Sequence, residues 1–295
     1  MSVFRKAAAL LLCLSAVSSA AAGANPVLDM FPRDVTFHLT FDDGTVDPSV
    51  GLTKMRGAAF DGAAFEDGLF GKACVAGWFR YEQDPRSPLL DATRPGTAVV
   101  WVKLRREAQP VDVGKRELPL EPGTSFLRAE GPDSRFLIFR KSTDLYWKSG
   151  EIWLLHGGLD HETRARFQTY ASQRCSFVGW EVGEWRMLAA AWSADALYVS
   201  VNGAPWSKAM CTPLVAMLRP LWVQANNVYG PKNRSTDGLV ALDEITIFSK
   251  RLSETELKLL YDKTRAAASA DSSRSAKLDG IGYSYRLSAV NPITH

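Results

Sequence analysis

What the 295-residue chain lacks narrows its chemistry before any motif is considered. Histidine is scarce, with four in all: His38, His156, His161 and His295. The four cysteines form no C-x-x-C pair, which argues against a zinc knuckle or a thioredoxin-type dithiol. Charge of one sign is missing as well. The formal net charge is only +3 and the basic residues are scattered, so a nucleic-acid-binding stripe has no support. Beyond the N-terminus no apolar run is long enough to span a bilayer. No Glu-x-Asp-x-Glu signature occurs. The alternation of strand-like and helix-like periods that builds βα barrels is absent too, and there is no internal repeat.

The N-terminus carries the first positive signal. Arg5 and Lys6 precede an apolar run from Ala7 to Val17, followed by the small residues "SSAAAGAN". This is the layout of a secretory signal peptide, with Ala22 and Ala24 offering an A-x-A cleavage site. The expectation is that residues 1–24 are removed near Asn25 and that the chain is secreted, or exported to a periplasmic or extracellular space. Loss of Arg5 and Lys6 takes the formal charge from +3 to +1. Export permits disulfides. The three remaining cysteines leave one unpaired, and sequence alone does not fix the pairing. Cys175 with Cys211 is the favoured pair, since both fall at loop or strand-end positions. Cys74, between Ala73 and Val75, reads as a small buried side chain.

The mature region is strand-rich. Val35, Phe37, Leu39 and Phe41 alternate with Thr36, His38 and Thr40, the period of a half-buried strand. "TAVVWVKL", Thr97 to Leu104, is apolar on both faces and reads as an inner strand. Further strands are expected at "RFLIFRKS" from Arg135, "EIWLLHGG" from Glu151, "RFQTYAS" from Arg166, "EWRMLAAAW" from Glu184 and "LYVSVNG" from Leu197. Asn202-Gly203 signals a tight turn, because both central positions need positive φ. A single helix stands out, Ser253 to about Lys263. Ser253 and Glu256 form a capping box, with Leu252 and Leu257 at the staple positions. Residues 105–134, charged and Pro-containing, read as a long insertion. "RAAASADSSRSAK", after Thr264, reads as a low-complexity linker, so the domain is expected to cover 25–264 with a linker and tail over 265–295. Many short strands with one late helix argue for an all-β sandwich.

The order of these segments carries a resemblance. "FHLTFDDG", "GLFGKACVAG", "TAVVWVKL", "GEWRMLAAAWSADALYVSVNGAP" and "ALDEITIFSKRLSETELKLLYD" follow one another over roughly residues 33–262. Together they resemble the laminin-G-like jelly roll of the concanavalin A-like lectin and glucanase superfamily. The last two segments are the most specific. The chain departs from that pattern in the charged stretch 105–134, and at Arg186 and Met187, where relatives often carry His. The resemblance implies an all-β, two-sheet antiparallel jelly-roll sandwich with one short C-terminal helix. It also implies a structural calcium where the two ends of the domain meet. Asp243 is the matching ligand, and Asp42, Asp43 and the carbonyl of Gly71 are candidates from the early part. Trp101, Trp185 and Trp192 align with core positions of the family.

"LTFDDG", Leu39 to Gly44, admits three readings. It looks like the first motif of polysaccharide deacetylases, but that chemistry needs two histidines one helical turn apart to complete a metal site. His156 and His161 are five apart, in a stretch with two adjacent glycines. A glucanase reading needs carboxylates at period-two spacing, so that one strand face presents them together. "EVGE" and "LDEI" put theirs on opposite faces. Calcium is the third. Asp243 shares the strand parity of Ile245 and Ile247, which should point inward, and an inward carboxylate needs a cation or several donors. The bland alternative is that Asp42 and Asp43 only cap turn amides.

Nine tryptophans are many for this length. Trp78, Trp147, Trp153, Trp180, Trp206 and Trp222 are not tied to core positions, and Trp147 and Trp180 stand in turn-like contexts suited to a ligand surface. For any one of them, ordinary packing is the competing assignment. The sequence thus supports an exported binding module rather than an enzyme, with a glycan as ligand or a cell-surface protein as partner. A divergent glycoside hydrolase or lyase is the remaining alternative.

Overall fold

The structure is a computed structural model. It describes residues 26–51, 58–106, 111–113, 116–118, 124–141, 151–159, 163, 165–175, 180–225 and 239–270, with only the backbone at 58–62, 111–113, 116–118 and 124. The expected signal peptide, Trp147, His161 and the tail after 270 lie outside the described residues. A short helix α1 (Pro26–Met30) leads into strands β1 (Val35–Leu39), β2 (Ala58–Asp67), β3 (Lys72–Tyr81) and β4 (Gly96–Leu104). A small hairpin, β5 (Val111–Val113) with β6 (Arg116–Leu118), precedes β7 (Thr124–Glu130), β8 (Phe136–Lys141), β9 (Glu151–Leu159) and β10 (Arg166–Arg174). Then come β11 (Trp185–Ser193), β12 (Ala196–Val201), β13 (Ser207–Met210), β14 (Leu221–Ala225) and β15 (Val240–Phe248), and helix α2 over 254–270.

The all-β expectation holds, but the division into two sheets does not describe the hydrogen bonding. Thirteen strands form one continuous antiparallel sheet in the order β10-β9-β8-β7-β14-β3-β15-β4-β11-β12-β13, with β1 on β15 and β2 on β3. β15 joins the two halves because it is paired on both edges, to β4 on one and to β1 and β3 on the other. β10 at one end lies against β12 and β13 at the other, so the sheet curls almost into a barrel. Its interior is one apolar core that includes Phe37, Phe79, Val100, Phe126, Phe139, Leu154, Trp192 and Ile245.

Local sequence explains most boundaries. β11 and β12 pair across the turn Ser193–Ala196, and Asn202 and Gly203 both take positive φ, as their turn demands. The Asn202 carboxamide accepts the Met187 N–H at 2.9 Å and pins that turn to β11. At α2 the capping box forms, with Ser253 N–H donating to Glu256 at 2.9 Å. The helix runs to 270, past the boundary expected at Thr264, and Thr264 and Ala268 are buried. Leu252, Leu257 and Leu260 seal the outer side of β4 and β11, where Tyr261 stacks on Trp101 at 5.7 Å. α1, not expected from sequence, adds Val27 to the same cluster, and Phe31 just after it joins them. The stretch 105–134 is not a mere insertion, since it contains β7, a core strand. Among the described residues no helix is long and apolar enough to cross a membrane.

One buried group makes stability depend on pH. His156 on β9 is fully buried, packs edge-on against Phe167, and neither ring nitrogen has a hydrogen-bond partner among the described residues. Burial, aided by the charge of Arg135, pushes its pKa down to about 4. The unfolded chain, titrating near 6.5, therefore binds this proton first. Stability is complete above about pH 6.5 and falls as pH drops toward 4, by roughly 3 kcal/mol in all. His156→Leu should flatten the denaturation free energy across that window. An unchanged slope would show that His156 is not the responsible group.

Candidate functional site

Two features concentrate chemistry that a plain core would not need. The first is built where β15 changes neighbours. The register with β4 shifts between Asp243 and Thr246, and Glu244 sits there at φ 50. This bulge reverses the expected parity. Asp243 stands opposite Trp101, on the outer face, while Ile245 and Ile247 keep their places in the core. The carboxylate is nevertheless fully buried, because the turn joining β2 to β3 closes over it. Leu69 N–H donates to it at 2.7 Å and Phe70 N–H at 3.3 Å, and Glu244 N–H donates to its other oxygen at 2.9 Å.

Two further carboxylates converge on the same point. One carboxylate oxygen from each of Asp42, Asp243 and Glu244 falls within 4.8 Å of the other two. Asp42 leaves β1 through Phe41, a bulky residue held at φ 62, and its carboxylate turns in against Gly71 although the residue as a whole is exposed. Backbone strain of this kind in non-glycine residues persists only where the surroundings enforce it. Glu244 meets His38 Nε2 at 2.9 Å with both side chains buried, and Ser49 Oγ lies 3.0 Å from His38 Nδ1. Burial, then the charge of Glu244, pushes Asp42 up to about 6. Asp243 is also raised, by burial first and then by Glu244.

The sequence candidates divide accordingly. Asp243 and Asp42 come together. Asp43 turns away, accepting from Thr45 N–H at 3.2 Å and from Thr45 Oγ1 at 2.8 Å as a plain turn cap. The Gly71 carbonyl accepts from Gly68 N–H at 3.0 Å, and Gly71 also serves the site by its shape. Its φ is +46, and a Cβ there would stand 2.6 Å from Asp42 Oδ1. Glu244 and His38 were not singled out from sequence. Glu244 sat beside Asp243 in "LDEI", and only the bulge unites the two. His38 has the parity of an outward residue, but residues 49–50 bridge to it and bury it. The donor set suits a hard divalent cation, which prefers carboxylate oxygen and tolerates irregular geometry.

Cysteine and tryptophan expectations are corrected. No disulfide joins Cys175 and Cys211 in the structure, so the expected bond is not formed. Cys175 is packed in the apolar core, and burial pushes the Cys211 thiol up to about 11, so it stays protonated. Trp180 is only 4% exposed. Its indole N–H is used by the Glu184 carbonyl at 3.1 Å and its ring is covered by Arg186, so it offers no stacking platform.

The platforms lie elsewhere, on the second feature. The outer face of β3, β14, β7, β8, β9 and β10 carries two ring pairs. Trp78 and Trp222 are 4.5 Å apart and half-buried, and Tyr170 is exposed and stacks at 4.6 Å on Trp153, which is itself buried at 5% exposure and offers no open face. In register, Trp222 stands between Arg80 on β3 and Arg128 on β7.

The turn over Asp243 generates a direct test. Gly71→Ala forces both a left-handed φ and a contact with the Asp42 backbone, at 2.9 Å from its Cα, that cannot relax by rotation. It should destabilise by roughly 2 kcal/mol or more. That lowers the melting temperature by about 5 °C or more in a domain of this size. A melting temperature equal to that of the parent would refute the packing described.

No family model matches the chain, and no curated protein sequence matches it. Solved structures do. The binding domain of botulinum neurotoxin DC, in complex with rat synaptotagmin II, aligns with TM-score 0.56 at 9% identity over 78% of this chain and 52% of that one. The same toxin's binding domain in complex with SialylT gives 0.55 at 8% identity, over 78% and 51%. Domain 4 of AbnA, an extracellular arabinanase of Geobacillus stearothermophilus, in complex with arabinotriose, gives 0.50 at 17% identity, over 77% and 99%. The chain thus spans about half the length of the toxin domains it matches. At these identities the likeness establishes the fold, and this protein shares the β-rich architecture of those binding domains.

Proposed function

We propose that this protein is an exported, non-catalytic binding module whose ligand is a glycan. The carrying observation is the outer sheet face, where the half-buried Trp78–Trp222 pair and the exposed ring of Tyr170 lie beside paired guanidinium and carboxylate groups. Sugar rings present C–H faces that stack on aromatic rings and hydroxyls that need directional polar partners, and this face supplies both. The shared fold with a domain solved with arabinotriose and a domain solved with SialylT is consistent with the reading. A cell-surface protein is the competing partner. Purified residues 25–295 should register on a glycan array, and Trp222→Ala should weaken that signal at least tenfold. Silence on the array with capture of a protein from an envelope extract would favour the competitor, and sugar release from a polysaccharide panel would favour an enzyme.

We further propose that the Asp42–Asp243–Glu244 cluster holds a structural calcium ion. Three carboxylates so close, two of them buried, repel one another unless protons or a cation compensate them. Asp243 is a poor residue to test, because its removal strips three backbone donors of their acceptor whatever the ion does. Asp42 is better. At a hundredfold excess over its dissociation constant, calcium should stabilise the parent by about 2.7 kcal/mol. Asp42→Asn should lose that increment while melting no lower than the parent in EDTA. Equal melting temperatures for the parent in calcium and in EDTA would remove the cation from the account.

A further inference from the structure

A cavity that shares no residue with the aromatic face lies where β3 gives way to β4. Residues 82–95 run there outside the sheet, with two tight turns. Ser87 N–H donates to the Asp84 carbonyl at 2.9 Å, and Arg94 N–H to the Asp91 carbonyl at 3.4 Å. Pro85, Pro88 and Pro95 restrict the backbone of this segment further. Side chains then brace it. Thr36 Oγ1 on β1 donates to the Leu89 carbonyl at 2.7 Å, and the Trp192 indole N–H on β11 donates to the Asp91 carbonyl at 3.0 Å. The Gln83 carboxamide accepts from Leu90 N–H at 3.1 Å and donates to the carbonyls of Met217 and Arg219 at 2.8 and 2.7 Å, tying the segment to the chain ahead of β14. Between these braced walls is a cavity of about 530 Å³, within the size range of small-molecule sites.

Its lining selects a ligand class. The buried Leu89, Trp192 and Phe248 supply apolar surface. The charged side chains that line it are Arg86, Asp91 and Arg94. Asp91 is already engaged. One of its oxygens accepts from Thr93 N–H at 3.0 Å and from Thr93 Oγ1 at 2.6 Å, and the other lies 3.5 Å from Arg94 Nε. Arg86 has no carboxylate partner among the described residues. Asp84, two residues before it, caps the Arg86 backbone N–H at 2.9 Å, and Lys250, just past the lining Ser249, is held by Asp34 and Glu256. The cavity thus carries one uncompensated guanidinium beside apolar surface. A guanidinium fork matches a carboxylate through two parallel hydrogen bonds, and apolar walls suit the body of a ring. We infer that this cavity is a second ligand site, which takes a ring-bearing monocarboxylate with Arg86 as its anion partner. The inference is independent of the aromatic face and of the glycan reading. Two sources share the chemistry, a free cyclic acid and the uronate at the end of a glycan, and the test separates them.

The test is calorimetry on the purified protein with benzoate, glucuronate, the methyl ester of each, and an oligosaccharide ending in a uronate. At least one acid should bind, and its ester should bind at least tenfold more weakly. Arg86→Gln should weaken the acid by at least tenfold with the melting temperature unchanged, since Arg86 is exposed. Arg86→Lys, which keeps the charge and loses the fork, should recover only part of that affinity. Trp222→Ala should leave it as it was, which separates this site from the aromatic face. Binding of benzoate without the uronates supports the site and assigns it a free acid. Binding of the oligosaccharide at least as tightly as glucuronate supports the site and assigns it a glycan end. Equal affinity for acid and ester, indifference to Arg86→Gln, or no heat from any acid at millimolar concentration would overturn the inference and leave the glycan reading of the outer face standing.

Discussion

β15 has different neighbours along its two halves, and the changeover at Glu244 is the constraint on which the rest depends. Its last residues pair with β1, the first strand of the fold, while Leu242 pairs with Cys74 on β3. One strand can serve both only if its backbone twists sharply between them, and the bulge at Glu244 provides that twist. The twist leaves two acidic side chains in the crevice it opens. Asp243 takes the amides of the turn after β2, and Glu244 reaches back to His38 on β1. β1, the turn between β2 and β3, and β15 are thereby fastened at one point by hydrogen bonds to carboxylates, which are stronger than those between neutral groups.

That fastening carries an electrostatic burden. Asp243 is stabilised as an anion by three N–H donors, yet burial and Glu244 push the other way. Asp42 adds a third carboxyl, and its burial first and the charge of Glu244 second raise its pKa to about 6. The glycines at 68 and 71 follow from the same geometry. A Cβ at Gly68 would stand 2.6 Å from Asp243 Oδ2, so the turn reaches the carboxylate only where side chains are missing.

Much of the architecture was legible because strand periodicity is local. β1, β4, β8, β9, β11 and β12 coincide with alternating or apolar runs, and the α2 cap was readable from four residues, Leu252, Ser253, Glu256 and Leu257. What escaped was non-local. Composition concealed β7, because "TSFLRAE" borders a charged stretch and gains its place from β8 and β14 rather than from its own pattern. Parity failed at Asp243 because one bulged residue flips every assumption about which face comes next. Trp180 looked like a turn residue and proved buried, while Trp222 stands between Arg80 and Arg128, both more than 90 residues earlier in the chain.

The two outer faces of the curled sheet also diverge for a physical reason. On β4 and β11 the outward residues Val99, Trp101, Met187 and Ala189 are apolar, and α1 and α2 remove them from water. On β3, β14 and β7 the outward positions are Trp78, Arg80, Trp222 and Arg128, which half-bury one another instead. Trp78 restricts the rotamers of Trp222, Tyr170 does the same for Trp153, and the guanidiniums are fixed by their glutamates. A partner that docks on such a surface has little side-chain entropy left to remove, so even shallow contacts can contribute net affinity.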